Sequence, residues 1–158
     1  LLVFTFSTSS SNASIPYTLD IVTRKYGVDK SFSSFSIPLG ATINMDGTAI
    51  MQGCATYFLA SYYGVTLEFT DYLTIIITAT LASIGTAGIP SAGIIMLSII
   101  LEQVGIPLEG IALLLGVDRL LDMIRTSVNV AGDTCITCIV AKSEDLINTK
   151  VFEDTSEN

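Results

Sequence analysis

The sequence has no histidine and no tryptophan, and only 14% of its 158 residues are charged. Soluble domains average about 25% charged residues, whereas half of this chain is apolar, so its composition favours a membrane protein. The seven Lys and Arg residues are scattered along the chain and form no basic patch. We therefore expect no nucleic acid as a partner.

Cysteine is also scarce, with three residues in the chain, Cys54, Cys135 and Cys138. Cys135 and Cys138 have the spacing of a redox or zinc pair, but the sequence offers no second pair and no histidine to complete a metal site. Each cysteine lies in an apolar run. We therefore interpret all of them as small packing residues rather than as metal ligands.

The sequence does contain a long apolar stretch, Leu113 to Val140, which is long enough to cross a bilayer because about 20 mostly apolar residues suffice. Its polar residues recur every three or four positions, which places them within an arc of about 80° that extends about 22 Å along a helix. They are Asp118, Asp122, Arg125, Asn129 and Asp133. Ionisable groups at the bilayer centre cost roughly 2.5–3.5 kcal/mol each and mark ion or substrate paths. The alternative is a soluble amphipathic helix with a solvated charged face.

Two other apolar spans contain residues that interrupt helices. Residues 31–67 carry a single charge, Asp46, within the motif NMDGT, whose poor helix formers predict a locally unwound helix with carbonyls that suit hard cations. Residues 72–101 carry no charge, and the Gly and Pro residues of their centre, SIGTAGIPSAG, end one helix and begin another. The serine-rich run 7–14 favours turns, and residues 17–30 are typical of a connection outside the membrane.

The positions of the basic residues predict the orientation in a membrane. Outside the polar helix, they are Arg24, Lys25, Lys30, Lys142 and Lys150, whereas the loops 64–71 and 102–110 contain acids only. The positive-inside rule therefore places the two acidic loops outside and the C-terminus inside. If residues 72–101 crossed the membrane once, the C-terminus with its lysines would lie outside, against this rule. The span is therefore predicted to be a re-entrant hairpin, which enters the membrane and returns to the same side. We divide the chain into a membrane core, 1–141, and a polar cytoplasmic tail, 142–158.

Four motifs together resemble the dicarboxylate/amino acid:cation symporter family, also called the glutamate transporter family. They are FSTSSSNASIP at the tip of a first hairpin, GATINMDGT in a seventh helix, ASIGTAGIPSAG at the tip of a second hairpin and LLDMIRTSVNVAGD in an eighth helix. The resemblance extends to about Glu144. It implies an all-α membrane fold of transmembrane helices, re-entrant hairpins and an unwound helix, in which residues 1–141 form the C-terminal transport core. The first six helices would then be missing from this chain.

The resemblance implies secondary active transport of glutamate or aspartate by an elevator-type domain in the plasma membrane, within a homotrimer. In family members, the arginine at the place of Arg125 pairs with the side-chain carboxylate of the substrate, and transporters of neutral amino acids lack it. Asp122 matches the acid that receives the substrate's ammonium group. The substrate-binding residues that the resemblance implies are Ser11, Thr48, Gly88, Ile89, Gly93, Asp122, Arg125, Thr126 and Asn129.

The resemblance also implies binding sites for a coupling cation, sodium or proton, and no other cofactor. Asp133 would form one site with the carbonyl groups of Gly40, Asn44 and Asn129. A second site would consist of Thr42, Met45, Ser83, Ile84 and Thr86. Asn44 and Asp46 would belong to a third site that a helix absent from this chain completes.

Three positions depart from the family pattern. Archaeal members have an arginine where this chain has Ser9, and animal members have one where it has Met123, so Arg119 is a candidate to balance Asp122 instead. Animal members carry a proton on a glutamate where this chain has Gln52. This difference argues against proton and potassium countertransport of the animal type.

Three alternatives are compatible with the sequence. One is a C4-dicarboxylate symporter of the same family. Another is an intramembrane aspartyl protease that uses Asp46 and Asp133, although its GxGD motif would be incomplete because Val130 occupies the first glycine position. The third is a soluble helical binding domain, which the uncharged run 72–101 argues against.

Overall fold

A computed structural model of the chain describes residues 1–86 and 88–153. Ala87, in the second predicted hairpin tip, and residues 154–158 of the predicted tail lie outside the described residues. The described residues form helices joined by short connections, with no strand beyond one isolated bridge, in agreement with the predicted all-α class. None of the described helices combines the length and the apolar character that a membrane crossing requires.

The helices follow one another along the chain with few residues between them. They are α1 (Leu2–Thr8), α2 (Ser11–Arg24), α3 (Lys30–Ile43), α4 (Asp46–Tyr63), α5 (Phe69–Ser83), α6 (Ala92–Gln103), α7 (Ile111–Leu115), α8 (Asp118–Ser143) and α9 (Thr149–Glu153). A short 3-10 turn, Leu108–Gly110, precedes α7.

Only Ser9 and Ser10 separate α1 from α2. Ser9 adopts a left-handed backbone conformation with φ 50°. The Ser10 hydroxyl accepts a hydrogen bond from the Ala13 amide (3.2 Å) and so caps α2. The turn expected from the serine-rich run 7–14 is therefore confined to two residues.

The predicted connection over residues 17–30 is helical in its first part, because α2 continues to Arg24. That these residues lie outside the membrane stays a prediction. The exposed side chains of Arg24 and Asp20 form an ion pair (2.7 Å) at a spacing of four residues, which supports a helix. Only residues 25–29 connect α2 to α3. Asp29 then caps α3, since its carboxylate accepts a hydrogen bond from the Phe32 amide (2.9 Å).

The chain leaves helical geometry between α3 and α4, within the NMDGT motif. Asn44 and Met45 lie outside both helices, with ψ angles of 68° and 54°. In the first turn of α4, the backbone amide of Gly47 has no carbonyl partner in its own helix and instead donates to Oδ1 of Asn129 on α8. The break therefore presents hydrogen-bond donors to α8, against which α4 packs.

Helices α5 and α6 pack against each other and are joined by residues 84–91. α5 begins with a capping box, in which the Glu68 amide donates to the Asp71 carboxylate at 2.8 Å. The segment rich in Gly and Pro separates the two helices, as the sequence predicts. That the pair enters a membrane and returns to the same side stays a prediction.

The stretch Leu113 to Val140 is not one helix, because Gly116 and Val117 separate α7 from α8. Gly116 is a poor helix former, which favours the end of α7 there. Asp118, the first residue of α8, interacts favourably with the positive end of the helix dipole, which favours a new helix start. The polar stripe of α8 is nevertheless one buried face. Its members Asp118, Asp122, Arg125, Asn129 and Asp133 are each at most 5% exposed, which contradicts a solvated charged face.

Two apolar clusters hold the helices together. One lies between α4, α5 and α6 and includes the fully buried Leu59, Leu97 and Ile100. The other joins α2 and α3 to the C-terminal end of α8 and includes Ile37 and Ala141. Because α8 also contacts α1, α2, α3 and α4, its polar face is enclosed by helices.

The residues that follow α8 fold back onto the connection between α2 and α3. The Asp29 amide donates a hydrogen bond to the Leu146 carbonyl (2.8 Å), and Val28 forms an isolated antiparallel bridge with Ile147. These contacts join the ends of α2, α3 and α8.

Candidate functional site

The two turns rich in Ser and Gly meet beside the middle of α8. The Ser10 hydroxyl donates a hydrogen bond to the carbonyl of Gly88 (2.8 Å), and the Asn12 amide donates to the same carbonyl (3.2 Å). A Cβ atom on Gly88 would lie 2.9 Å from Oδ1 of Asn12 and 3.1 Å from the carbonyl oxygen of Ala41. The close approach of the α1–α2 turn and segment 84–91 therefore favours a glycine at this position.

Arg125 and Asp122 form a buried ion pair on α8, between Nη2 of the guanidinium and Oδ1 of the carboxylate. The other terminal nitrogen of Arg125, Nη1, is buried and has no hydrogen-bond partner within the described ranges. It lies against Gly93, where any Cβ atom would collide with it. A buried guanidinium with a free N–H group is suited to bind a carboxylate.

Asn129 connects α8 to the break between α3 and α4. Its Oδ1 accepts a hydrogen bond from the Gly47 amide (2.8 Å), while its Nδ2 donates to the sulfur of Met45 (3.2 Å) and to the hydroxyl of Thr48 (3.3 Å). A Cβ atom on Gly47 would lie 2.6 Å from the carbonyl oxygen of Arg125. Glycine at position 47 thus allows the start of α4 to approach the backbone beside Arg125.

One small cavity lies where these contacts converge. Its volume of about 10 Å³ is room for roughly one water molecule. All of the residues predicted to bind substrate line it, although their role in binding stays a prediction. The complete lining is Ser9, Ser11, Met45, Thr48, Thr86, Gly88, Ile89, Gly93, Asp122, Arg125, Thr126 and Asn129. A ligand larger than water requires the two turns to separate or the ion pair to open.

The first predicted cation site is brought together around Asp133. The Asn44 side chain donates a hydrogen bond to Oδ1 of Asp133 (3.0 Å), and a Cβ atom on Gly40 would lie only 2.6 Å from the same oxygen. A groove of about 300 Å³ between α3 and α8 reaches these residues, and Asn129 lies one turn before Asp133. A carboxylate oxygen is a ligand that suits a hard cation.

The second predicted cation site spans the α3–α4 break and segment 84–91. The Gly85 amide donates a hydrogen bond to the Thr42 carbonyl (3.1 Å), and the Thr86 amide donates to the Ser83 carbonyl (3.3 Å). Thr86 and Met45 both line the small cavity, whereas Ile84 and Thr42 are exposed. The structure therefore places these residues in adjacent parts of the fold.

The two residues of the third predicted cation site converge on Gly132. A Cβ atom there would lie 3.1 Å from Nδ2 of Asn44 and from Oδ2 of Asp46. Asp46 is exposed. Across residues 1–86 and 88–153, no three His, Cys, Asp or Glu side chains group together as a metal site.

Two polar residues beside the cavity were not among the predicted site residues, although the sequence analysis noted Gln52 as a departure from the family pattern. Gln52 is fully buried and donates from Nε2 to the carbonyl of Gly93 (3.1 Å); it follows Thr48 by one helical turn, so its helical position could have indicated it. Ser91 donates hydrogen bonds from its hydroxyl to Asp118 and from its amide to Asp122. No sequence pattern indicates this role of Ser91.

The expectation that Arg119 balances Asp122 is wrong. Arg119 is exposed, and within the described part of the chain it forms no ion pair, whereas Asp122 pairs with Arg125. The reason is helical geometry. Position 119 is three residues before Asp122 but lies at the edge of the stripe, so its long side chain extends toward the outside of the bundle.

The known proteins that this chain resembles are named as transporters. Residues 1–143 match the sodium:dicarboxylate symporter family. The chain is 48% identical over 126 residues to an excitatory amino acid transporter of Caenorhabditis elegans, which covers 80% of this chain and 25% of the relative. It is 47% identical over 153 residues to excitatory amino acid transporter 2 of Homo sapiens, covering 93% of this chain and 27% of the relative.

A neutral amino acid transporter, B(0) of Mus musculus, is equally similar, with 48% identity over 132 residues that cover 84% of this chain and 24% of the relative. The chain thus spans about a quarter of the length of these relatives. The family and the relatives are named for transport and not for catalysis, so the protease alternative does not fit. The chain belongs to the sodium:dicarboxylate symporter family.

Proposed function

We propose that the protein serves in a membrane transporter that carries acidic amino acids, glutamate or aspartate, together with sodium. The observation that carries this proposal is the buried guanidinium of Arg125, which has a free nitrogen in a cavity that Asp122 also lines. An acidic amino acid has a carboxylate for the first group and an ammonium for the second. One substrate molecule can therefore pair with Arg125 and with Asp122 at the same time.

Arg125 distinguishes between acidic and neutral substrates. The names of the relatives do not decide this point, because they include both excitatory and neutral amino acid transporters. A neutral substrate would leave Nη1 of Arg125 buried without a partner, which costs free energy. A side-chain carboxylate would instead accept from the guanidinium, so the geometry supports an acidic substrate.

Asp122 distinguishes an amino acid from a C4-dicarboxylate, the alternative within the same family. A dicarboxylate that paired with Arg125 would have no positive group for Asp122, and the two like charges would repel each other in a buried site. An amino acid supplies an ammonium at this place. The presence of Asp122 in the cavity therefore favours an amino acid.

Sodium would bind near Asp133, where the carboxylate lies beside Asn44 and Gly40. Asn129, one turn earlier on α8, touches Met45 and Thr48 of the cavity. A cation that orders the α3–α4 break would thus also order the wall of the substrate cavity. Such a shared element couples the two ligands, and the coupling acts equally in both directions.

The family also supports a location in the membrane, which we propose to be the plasma membrane, with several crossings. Within it, segment 84–91 would belong to a re-entrant hairpin, and the helices around α8 would move together as an elevator-type domain. Helices outside this chain and further copies of the protein, in a homotrimer, would complete the transporter.

Competition binding tests the proposed substrate. Radiolabelled L-aspartate is bound to the transporter that contains this chain, in sodium, and is displaced with unlabelled L-glutamate, L-serine or L-malate. We expect L-glutamate to compete effectively and L-serine and L-malate to compete poorly. Displacement by L-malate alone would establish the dicarboxylate alternative, and preferential displacement by L-serine would refute the role of Arg125.

A further inference from the structure

Ser91 is bonded to two buried acids of α8 that flank the proposed substrate site. Its hydroxyl donates a hydrogen bond to Oδ2 of Asp118 (2.6 Å), and its amide donates to Oδ2 of Asp122 (2.9 Å). Both acids are nearly fully buried, at 4% and 2% exposure, whereas Ser91 itself is exposed. Ser91 therefore covers the two buried carboxylates and is itself at the surface of the described helices.

The backbone of Ser91 is in an unfavourable conformation that these bonds stabilise. Its φ angle is 62°, in the left-handed region that side chains other than those of Gly, Asn and Asp seldom adopt. A hydrogen bond from a hydroxyl to a carboxylate is among the stronger kinds, particularly where the acceptor is buried. The bond to Asp118 thus holds Ser91 in the conformation that directs its amide at Asp122.

Both oxygens of Asp122 are engaged in this arrangement. Oδ1 accepts from Arg125, and Oδ2 accepts from the Ser91 amide. The cavity between them has room for about one water molecule. Each carboxylate oxygen can accept a second hydrogen bond, but the cavity has no room for a group larger than water beside the two donors. The ammonium group of an amino acid therefore reaches Asp122 only after Ser91 or Arg125 moves away.

We propose that Ser91 is an intramolecular competitor for the ammonium-binding oxygen of Asp122, and that its hydrogen bond to Asp118 sets how readily the site opens to substrate. This inference rests on the proposed function, because it takes Asp122 as the partner of the ammonium group. Ser91 thereby acts as a positioning residue for Asp122. Its bond to Asp118 slows entry of the amino acid rather than contributing to affinity.

Two substitutions remove the hydroxyl with opposite effects on the backbone. Ser91→Ala keeps a Cβ atom in the left-handed conformation, whereas Ser91→Gly makes that conformation freely accessible. Loss of a hydrogen bond to a buried charge corresponds to a change of about 10- to 100-fold in the opening equilibrium. If the hydroxyl is responsible, both variants open more often. Ser98→Ala is the matched control on α6, because within the described residues the Ser98 hydroxyl donates a hydrogen bond only to the Ile95 carbonyl of its own helix.

Two readouts test the inference on the complete transporter. The first is hydrogen exchange of the Ser91 amide without any substrate, which we expect to accelerate about 10- to 100-fold in both Ser91 variants and not in Ser98→Ala. The second is the association rate of L-aspartate, which we expect to rise in the same variants. The dissociation constant should not increase.

Unchanged amide exchange in either Ser91 variant would overturn the inference, as would an association rate that stays constant or falls. A higher dissociation constant would also overturn it, since Ser91 would then serve to retain substrate. The exchange readout keeps this inference separate from the proposed function. If the wild type binds no acidic amino acid, the proposed function fails, while the exchange rates still decide whether Ser91 restrains the segment.

Discussion

Arg125 and Asp122 form an ion pair one turn apart on α8, and both side chains are almost completely buried. The pair offers opposite charges to a cavity that Met45 and Thr48, at the start of α4, also line. Burial of two charges is costly unless their partners are well placed. A ligand with a carboxylate and an ammonium matches both members, which links this pair to the proposed substrate.

Replacement of Arg125 with cysteine should abolish binding of glutamate and aspartate. The substitution would leave the side-chain carboxylate of the substrate and Asp122 without a cation in a buried site. Leaving a buried charge without its partner costs about 3–5 kcal/mol, so the affinity for L-aspartate should fall by more than about 100-fold. Binding is measured by isothermal titration with L-aspartate and with L-serine. Unchanged affinity for L-aspartate would refute the assignment of Arg125, whereas improved binding of L-serine would support it.

Gly93→Ala should displace the guanidinium of Arg125, since any Cβ atom at this position collides with it. Overpacking of this kind costs about 1–3 kcal/mol, so L-aspartate affinity should fall by roughly 5- to 100-fold. Gly53→Ala is the matched control on α4, because among the described residues no atom outside its own stretch of helix lies within 4 Å of the added Cβ and alanine favours a helix. Equal binding by the two variants would show that Arg125 is not confined by Gly93.

Asp133→Asn should weaken sodium binding, because the change removes the ligand charge and nearly preserves the size of the side chain. Since coupling is reciprocal, L-aspartate affinity at a fixed sodium concentration should fall and should recover as sodium is raised. Substrate binding is titrated against sodium in wild type and variant. A well-folded variant with the wild-type sodium midpoint would remove Asp133 from the cation site. In that case Asp133 would be structural, through its bond with Asn44.

Glu68 and Glu102 should lie on the same, external side of the membrane. Both side chains are exposed, Glu68 at the cap of α5 and Glu102 in the last turn of α6, and the stretches 64–71 and 102–110 to which they belong contain acids but no bases. Single cysteines at these positions, in a cysteine-free transporter within intact cells, should both react with a membrane-impermeant thiol reagent. Labelling at only one position would contradict the re-entrant hairpin between them.

The periodicity of the sequence was sufficient to predict the buried face of α8. Charged residues spaced by three and four within an apolar run leave only one face on which a helix can enclose them. The ends of helices were less predictable. α2 continues through Asp20 and Arg24, whose charges suggest a loop but which pair with each other on the helix surface.

Contacts between distant segments could not be predicted from local patterns. Gly27 illustrates the point, because its φ angle of 67° and the close carbonyl of Asn148 depend on residues after α8 that pack against it. Ser91 is a second case. Its left-handed conformation opposes its intrinsic preference and is compensated by hydrogen bonds to α8, 27 and 31 residues later in the chain.

Uptake of radiolabelled L-aspartate into proteoliposomes, with sodium and pH gradients imposed separately, tests the central claim most directly. The vesicles contain the transporter that includes this chain. We predict uptake that follows an inward sodium gradient at equal pH on both sides and that is lost when sodium is replaced by choline. Uptake that follows the pH gradient without sodium, or the absence of uptake under either gradient, would contradict sodium-coupled transport of acidic amino acids.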